Sequence, residues 1–443
     1  MAVIFAMAGS AIGLGNIWRF PYILGEHGGS AFLIVYIVAT LLLSLPVFIA
    51  EVTIGRRSRR SAYGAMAALE SGRRWKIAGA LSVFIPLFIL CYYSVIGGWS
   101  LDFLFKSVTN QFIRQTTEEV TGLFGSFITS TWEPIIMHLA FLAICTAIIA
   151  KGVKSGIEKF SKYTIPVLFV LIVVMIVYSA TLPGSMEGFR YLLDPDFSQL
   201  DAKTFVYALG QSFYSMSLGM GAIVTYGSYV KKKENIVATS VGTAISDMLF
   251  AILAGMAIMP AVFAAGMEPG AGPGLVFCSV PYIFSTMGAI SPILSSLVAV
   301  LFFVAILAAA ATSCISLQEV GVSYFVEHRG MTRKKAAWLL FAICGSLGVV
   351  CSLSFGPLSG VTLVGKNIFD LFDWFASNVL LLTLGFIVAV FVGFVMKKED
   401  VKDEITNGGT NRATGWIFEV VYFLIKWVAP IGILGIFVTN FLI

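Results

Sequence analysis

Three groups of residues in this sequence offer chemistry that an apolar chain does not need. Ala8 to Pro21 reads AGSAIGLGNIWRFP, placing Gly9, Gly13, Gly15, Asn16 and Arg19 in a run long enough to cross a bilayer. A second apolar run is interrupted by Gln211-Ser-Phe-Tyr-Ser-Met-Ser-Leu-Gly-Met-Gly221. In a third, Ala309, Thr312, Ser313 and Ser316 follow i, i+3, i+4, i+7 spacing and make one small, oxygen-bearing stripe on a helix. Glycine lets the backbone leave helical geometry, and irregular backbone at membrane depth is tolerated only where it is buried in protein or lines a cavity. The chemistry on offer is therefore the holding of a solute by carbonyls, amides and hydroxyls. No paired catalytic carboxylates, zinc motif or nucleophile constellation accompanies these groups, so an enzyme is not expected.

The elements that must position them are membrane helices. The 443 residues are 58% hydrophobic and 12% charged, with a mean hydropathy of +0.91, far outside the soluble globular range. Apolar runs give about eleven candidate spans. They lie near 2–24, 30–54, 77–105, 134–150, 157–182, 204–229, 236–265, 293–323, 336–355, 367–396 and 415–442. Every even-numbered span ends at a basic loop: Arg56 to Lys76, Lys151 to Lys162, Lys231 to Lys233, Arg329 to Lys335, and Lys397 with Lys398. The positive-inside rule puts those loops and the N-terminus in the cytoplasm, and the net charge of +5 then reflects topology, with no nucleic-acid partner expected. The first run begins almost at Met1 without a basic leader and reads as a retained span, and so abrupt a start implies that N-terminal residues are missing. The six cysteines fall mostly in apolar spans without metal-ligand spacing, and they support no disulfide framework. His27, His138 and His328 are scattered and share no role.

Gly15 and Gly219 open successive halves of five spans each, so the second half enters the membrane in the opposite sense. Interrupted helices at corresponding positions of inverted halves point to a midplane transport site. A single helix rich in glycine and serine would be read as a close-packing surface; the matched pair reverses that preference. The stripe on span 8, taken alone, fits interhelical hydrogen bonding. Residues 1–182 and 183–396 form the expected repeats, with 397–443 a cytoplasmic loop and an extra helix. Residues 266–292, rich in glycine and proline with Glu268 as their one charge, are expected to form an external lid or re-entrant segment. Glu51 and Asp247 are intramembrane carboxylates, costly unless paired; Glu51 is close enough to the basic loop for snorkelling to compete with a functional role. The span between Gly156 and Pro166 reads either as a plain helix start or as an inner gate that unwinds.

With these residues in view the chain resembles the neurotransmitter:sodium symporters, particularly bacterial members that carry several hydrophobic amino acids. The resemblance covers essentially the whole chain and rests on Gly13-Leu-Gly-Asn-Ile-Trp-Arg-Phe-Pro21, Ser217-Leu-Gly219, Ala311-Thr-Ser313 and the Gly156 to Pro166 spacing. It implies an all-α polytopic fold of 11 helices, a 5+5 inverted-repeat core with helices 1 and 6 broken, and one additional C-terminal helix. It also implies two sodium ions. The first would lie among the Ala11 carbonyl, Asn16, Ser215 and Asp247. The second would lie among the carbonyls of Gly9, Ile12 and Ala309 and the hydroxyls of Thr312 and Ser313, hard oxygens that suit a hard cation.

The same resemblance implies that a substrate carboxylate meets the amides of Leu14 and Gly15 and the Tyr93 hydroxyl, at a half-helix N-terminus. The amino group would face Ala11, Tyr214, Ser215 and Ser217, and the side chain would lie among Ile89, Tyr93, Phe213, Tyr214, Met220, Ser313 and Leu317. Arg19 and Asp373 would form the outer gate above Tyr93 and Tyr214, and Glu327 an inner gate whose partner lies upstream of Met1. Asp247 stands where Asn is commoner, which predicts chloride independence. Met220 stands where relatives carry an aromatic, which predicts a pocket that repacks around large apolar substrates. The function implied is sodium-coupled import of neutral, hydrophobic or aromatic L-amino acids by alternating access, in a bacterial inner membrane. The alternatives are proton coupling through Asp247, Glu51 or Glu319, and a non-transporting amino-acid sensor.

Overall fold

Runs of this hydropathy have no water to satisfy their backbone in a bilayer, and they form helices. The computed structural model describes residues 13–113, 115–152, 156–410 and 415–442. Among them nine helices are long and apolar enough to cross a membrane. In chain order the bundle comprises α1 (15–26), α2 (Ser30–Ser58), α3 (Arg73–Val108), α4 (Glu133–Lys151), α5 (Gly156–Ser179) and α6, which is split into Ala202–Ser215 and Ala222–Tyr229. It continues with α7 (Ile236–Ala264), α8 (Pro292–Arg329), α9 (Arg333–Leu353), α10 (Ile368–Val395) and α11 (Trp416–Thr439). Hydrogen bonds from Arg56 to Glu234 and Glu404, from Arg59 to Val230, from Ser61 to Glu327 and from Arg333 to Ile149 gather the ends of α2, α4, α6 and α8 and the starts of α7 and α9 at one end, the basic end.

α3 and α8 have 36 and 38 residues. At 1.5 Å per residue each is about 55 Å long, well beyond a hydrocarbon core of about 30 Å. They pack along each other and against α4 and α9 as a frame. Inside it, α2 meets the second half of α6 with no side chain between them. A Cβ at Gly55 would fall on the Val224 carbonyl and 2.9 Å from the Gly227 Cα, and one at Gly227 would lie 2.9 Å from the Val52 carbonyl.

Residues 266–292 prove to be a helix, Leu275–Ile290, preceded by a tight turn at Gly272–Gly274. Gly272–Ile290 has the length and hydropathy of a span. Because α7 ends and α8 begins at the end opposite the basic one, this helix starts and finishes there and does not cross. Trp99 anchors it, with its ring 5.6 Å from Phe277 and 5.4 Å from Phe369 of α10. The Trp18 indole donates to the Pro273 carbonyl at 2.8 Å, which ties the preceding turn to α1. α5 is helical from Gly156 through Pro166 to Ser179, so the backbone is wound across the segment considered as an unwinding gate.

The Gly55 contact yields a stability prediction. Gly55→Val should force α2 from α6 at a cost of roughly 1–3 kcal/mol, read as a lower unfolding temperature in detergent. Gly122→Ala, where an added Cβ meets nothing within 4 Å, should change stability by about 0.5 kcal/mol or less.

Candidate functional site

The break in α6 is built from left-handed residues. Ser217, Gly219 and Gly221 have φ of +56°, +67° and +71°, a region glycine enters freely and L-residues seldom. At Gly219 space decides as well, since an added Cβ would strike the Leu381 carbonyl of α10. The freed backbone is held by Glu51, whose Oε1 accepts the Gly219 amide at 2.7 Å. Glu51 is wholly buried. It therefore does not snorkel to the basic loop, and the sequence's rival reading of this residue is corrected.

A small enclosed cavity lies beside the break. Gly13, Gly15, Ile89, Tyr93, Tyr214, Ser215, Ser217, Met220, Ala222, Ser313, Ser316 and Leu317 line it. An added Cβ on Gly13 would come within 2.8 Å of Ser313 Oγ, and one on Gly15 within 3.2 Å of the Tyr214 ring. Gly13 and Gly15 thus leave room for the Ser313 side chain of α8 and the Tyr214 ring of α6 to pack on their main chain. Tyr93 directs into this region a buried hydroxyl that makes no hydrogen bond among the described residues. Ser316 Oγ pairs with Tyr226 OH at 2.6 Å, joining α8 to the second half of α6.

Asp247 of α7 lies behind this cavity and is fully buried. Asn16 Nδ2 donates to its Oδ1 at 2.8 Å and to its carbonyl at 3.0 Å. Ser215 Oγ reaches both carboxylate oxygens, at 2.7 and 2.8 Å, and Tyr36 OH donates at 3.3 Å. All three side chains are neutral, and no arginine or lysine among the described residues pairs with Asp247. A carboxylate met only by neutral donors in a low-dielectric interior, beside several hard oxygen atoms, makes an environment that fits a small hard cation. On α8, Thr312 Oγ1 donates to the Ala309 carbonyl at 2.8 Å, leaving its own lone pairs available.

Above the cavity the Arg19 guanidinium meets Asp373 in a fork, Nε to Oδ1 at 3.0 Å and Nη2 to Oδ2 at 3.0 Å. Its Nη1 donates to Gln211 Oε1 at 2.6 Å, and Tyr22 OH donates to Asp373 at 3.0 Å. The Arg19 Cζ lies 5.0 Å from the centre of the Tyr214 ring. The site is shut on this side by an ion pair resting on an aromatic ring.

The structure therefore brings together Gly15, Ile89, Tyr93, Tyr214, Ser215, Ser217, Met220, Ser313 and Leu317, and separately Asn16, Ser215 and Asp247. Phe213 is corrected: it is buried and its ring packs on Gly385 of α10, away from the cavity. Leu14 is buried but does not line the cavity. Gly9, Ala11 and Ile12 lie outside the described residues. Glu327 accepts a hydrogen bond from Ser61 Oγ at 2.6 Å, and Glu319 is engaged by Arg333 through both guanidinium nitrogens. The sequence reading missed Tyr36, Gln211 and Tyr22. Gln211 stands inside the interrupted stretch already singled out, and Tyr22 lies one helical turn after Arg19.

The sequence matches the Sodium:neurotransmitter symporter family over residues 1–122 and 111–443. It is 34% identical over 434 residues to the uncharacterized sodium-dependent transporter YhdH of Bacillus subtilis (strain 168), spanning 98% of this chain and 95% of that protein. An uncharacterized sodium-dependent transporter of Haemophilus influenzae is 35% identical over 451 residues, spanning 99% and 96%. The crystal structure of MhsT in complex with L-phenylalanine superposes with a TM-score of 0.93 at 41% identity, covering 99% of this chain and 98% of that one. These neighbours are transporters, not enzymes.

Removing one partner of a buried ion pair strands the other. Asp373→Asn should therefore destabilise the purified protein by roughly 3–5 kcal/mol, whereas loss of the partly exposed Arg57–Asp403 pair should cost no more than about 1 kcal/mol. Thermal unfolding in detergent distinguishes the two.

Proposed function

The chain belongs to the sodium:neurotransmitter symporter family and is a sodium-dependent membrane transporter, and from that premise we propose that it imports neutral, hydrophobic L-amino acids by chloride-independent alternating access. The observation that carries the reading is Asp247, a buried carboxylate with three neutral donors and no cationic side chain among the described residues, adjoining the broken helix and the cavity. A sodium ion would be held by Asn16, Ser215 and Asp247, with Ala11 completing the set. A second would be held by Ala309, Thr312 and Ser313 with Gly9 and Ile12. The fixed charge of Asp247 takes the part an external chloride would otherwise play. The substrate carboxylate would join the first ion near Gly15 and Tyr93, so that each ligand completes the other's site and the two affinities rise together.

The apolar lining from Ile89, Met220 and Leu317 supports a hydrophobic side chain, as does the likeness to MhsT, whose structure holds L-phenylalanine. The direct fork between Arg19 and Asp373 corresponds to the outer path closed. Alternating access then requires that pair to part on one side, and the contacts beneath the second half of α6 to part on the other. The basic end faces the cytoplasm of a bacterial inner membrane in this reading, and residues 1–182 and 183–396 form the two inverted repeats.

Radiolabelled phenylalanine should accumulate in proteoliposomes under an inward sodium gradient and do so equally in chloride and gluconate. Uptake driven by a pH gradient alone in sodium-free buffer would replace this reading with proton coupling; binding without uptake or exchange would leave a sensor. Asp247→Asn should weaken sodium affinity by about tenfold or create a chloride requirement, and a variant with neither change refutes the charge role. Met220→Phe should reduce tryptophan uptake about tenfold more than valine uptake; equal losses would remove residue 220 as a size determinant.

A further inference from the structure

Arg56, counted in the sequence among the charges of a solvated loop, is fully buried. Its Nε donates to Glu404 Oε2 at 2.7 Å, its Nη1 to the Glu234 carbonyl at 2.8 Å, and its Nη2 to Asn407 Oδ1 at 3.0 Å and to the Glu404 carbonyl. Asn407 Nδ2 donates to the same Glu234 carbonyl at 3.1 Å. Four guanidinium bonds thus join the end of α2 to two other segments. Glu234 lies between the second half of α6 and the start of α7, and Glu404 lies on Lys398–Thr406, a short helix that follows α10. Glu404 is itself buried. Adjacent arginines extend the junction: Arg57 reaches Asp400 at 2.5 Å and Asp403 at 3.0 Å. Arg59 donates to the carbonyls of Ser228 and Val230, at 3.2 and 2.7 Å, where the second half of α6 ends.

α10 is consequently bonded to Arg19 through Asp373, and the short helix that follows it is bonded to Arg56 through Glu404. Between them α10 contains two wide turns with i to i+5 hydrogen bonding, Ala376–Leu380 and Phe391–Val395, a geometry frequent where helices bend at functional sites. Its middle bears on the broken helix at Leu381 against Gly219 and at Gly385 against Phe213. We propose that Arg56 is a positioning residue for the transport cycle: it ties the basic ends of α2, α6, α7 and α10 into one moving body, so that parting of Arg19 and Asp373 is delivered through α10 to the second half of α6. The assignment rests on the transport reading above and adds to it the part that carries motion between the two ends of the site.

A residue with this role governs the rate of exchange between states and leaves the assembled binding site intact. The test measures sodium-dependent phenylalanine binding in detergent and phenylalanine counterflow in proteoliposomes for Arg56→Lys, Glu404→Gln and Asn407→Ala, with Arg60→Gln as an exposed control. Arg56→Lys keeps the charge but lacks the planar fork needed to serve four acceptor atoms. Binding affinity should stay within about twofold while counterflow falls about tenfold, and Asn407→Ala should show the same split in milder form. Counterflow equal to that of Arg60→Gln overturns the assignment. So does loss of binding and of thermal stability together in all three variants, which would make the junction a folding element only. Failure of the unsubstituted chain to bind phenylalanine with sodium would instead overturn the transport reading.

Discussion

The fold depends on how a carboxylate is kept in an apolar bundle without a cation beside it. Burying an ionised group costs several kcal/mol even after relaxation, and the usual remedies are a paired arginine or lysine, or a shift to the neutral form. Arg19 with Asp373 and Arg56 with Glu404 take the first remedy. Asp247 has no such cation among the described residues and meets only hydroxyl and amide donors. Hydrogen bonds from neutral groups offset part of the desolvation and supply no opposite charge. On the proposed reading such a site is at its most stable with a sodium ion inside.

α2 then serves as the spine of the molecule. Tyr36 supports the Asp247 carboxylate, Glu51 fixes the amide of Gly219, and Arg56 closes the basic end, so one helix touches the buried carboxylate, the backbone break and the Arg56–Glu404 junction. Gly55 and Gly227 let α2 and the second half of α6 lie against each other without intervening side chains. Close packing of this kind resists independent movement, because atoms at contact distance have nowhere to go.

What the sequence could disclose followed the range of the interaction. The break in α6 was legible because Ser217, Gly219 and Gly221 are local exceptions in an apolar run, and the α8 stripe because its members are one turn apart. Asp373 as the partner of Arg19 came from family likeness, since 354 positions separate them. Glu51 could be marked as costly, but nothing in its neighbourhood said that its acceptor role was spent on a backbone amide 168 positions away. Arg56 was harder still: charge counting treats every loop arginine as solvated, and only the fold brings Glu404 to it. Phe213 was placed in the lining by family likeness alone, and packing of its ring on Gly385, 172 positions away, is set by the fold.

One consequence of the α6 break concerns how such a molecule can change over time. Its shape is set by Glu51, by left-handed glycine and by the Leu381 carbonyl, while the apolar lining is supplied by Ile89, Met220 and Leu317. On the proposed reading, main-chain atoms would grip the parts every amino acid shares, and replaceable side chains would meet the part that differs. Appetite for a new substrate can therefore drift by single substitutions in the lining, with the ion machinery inherited unaltered.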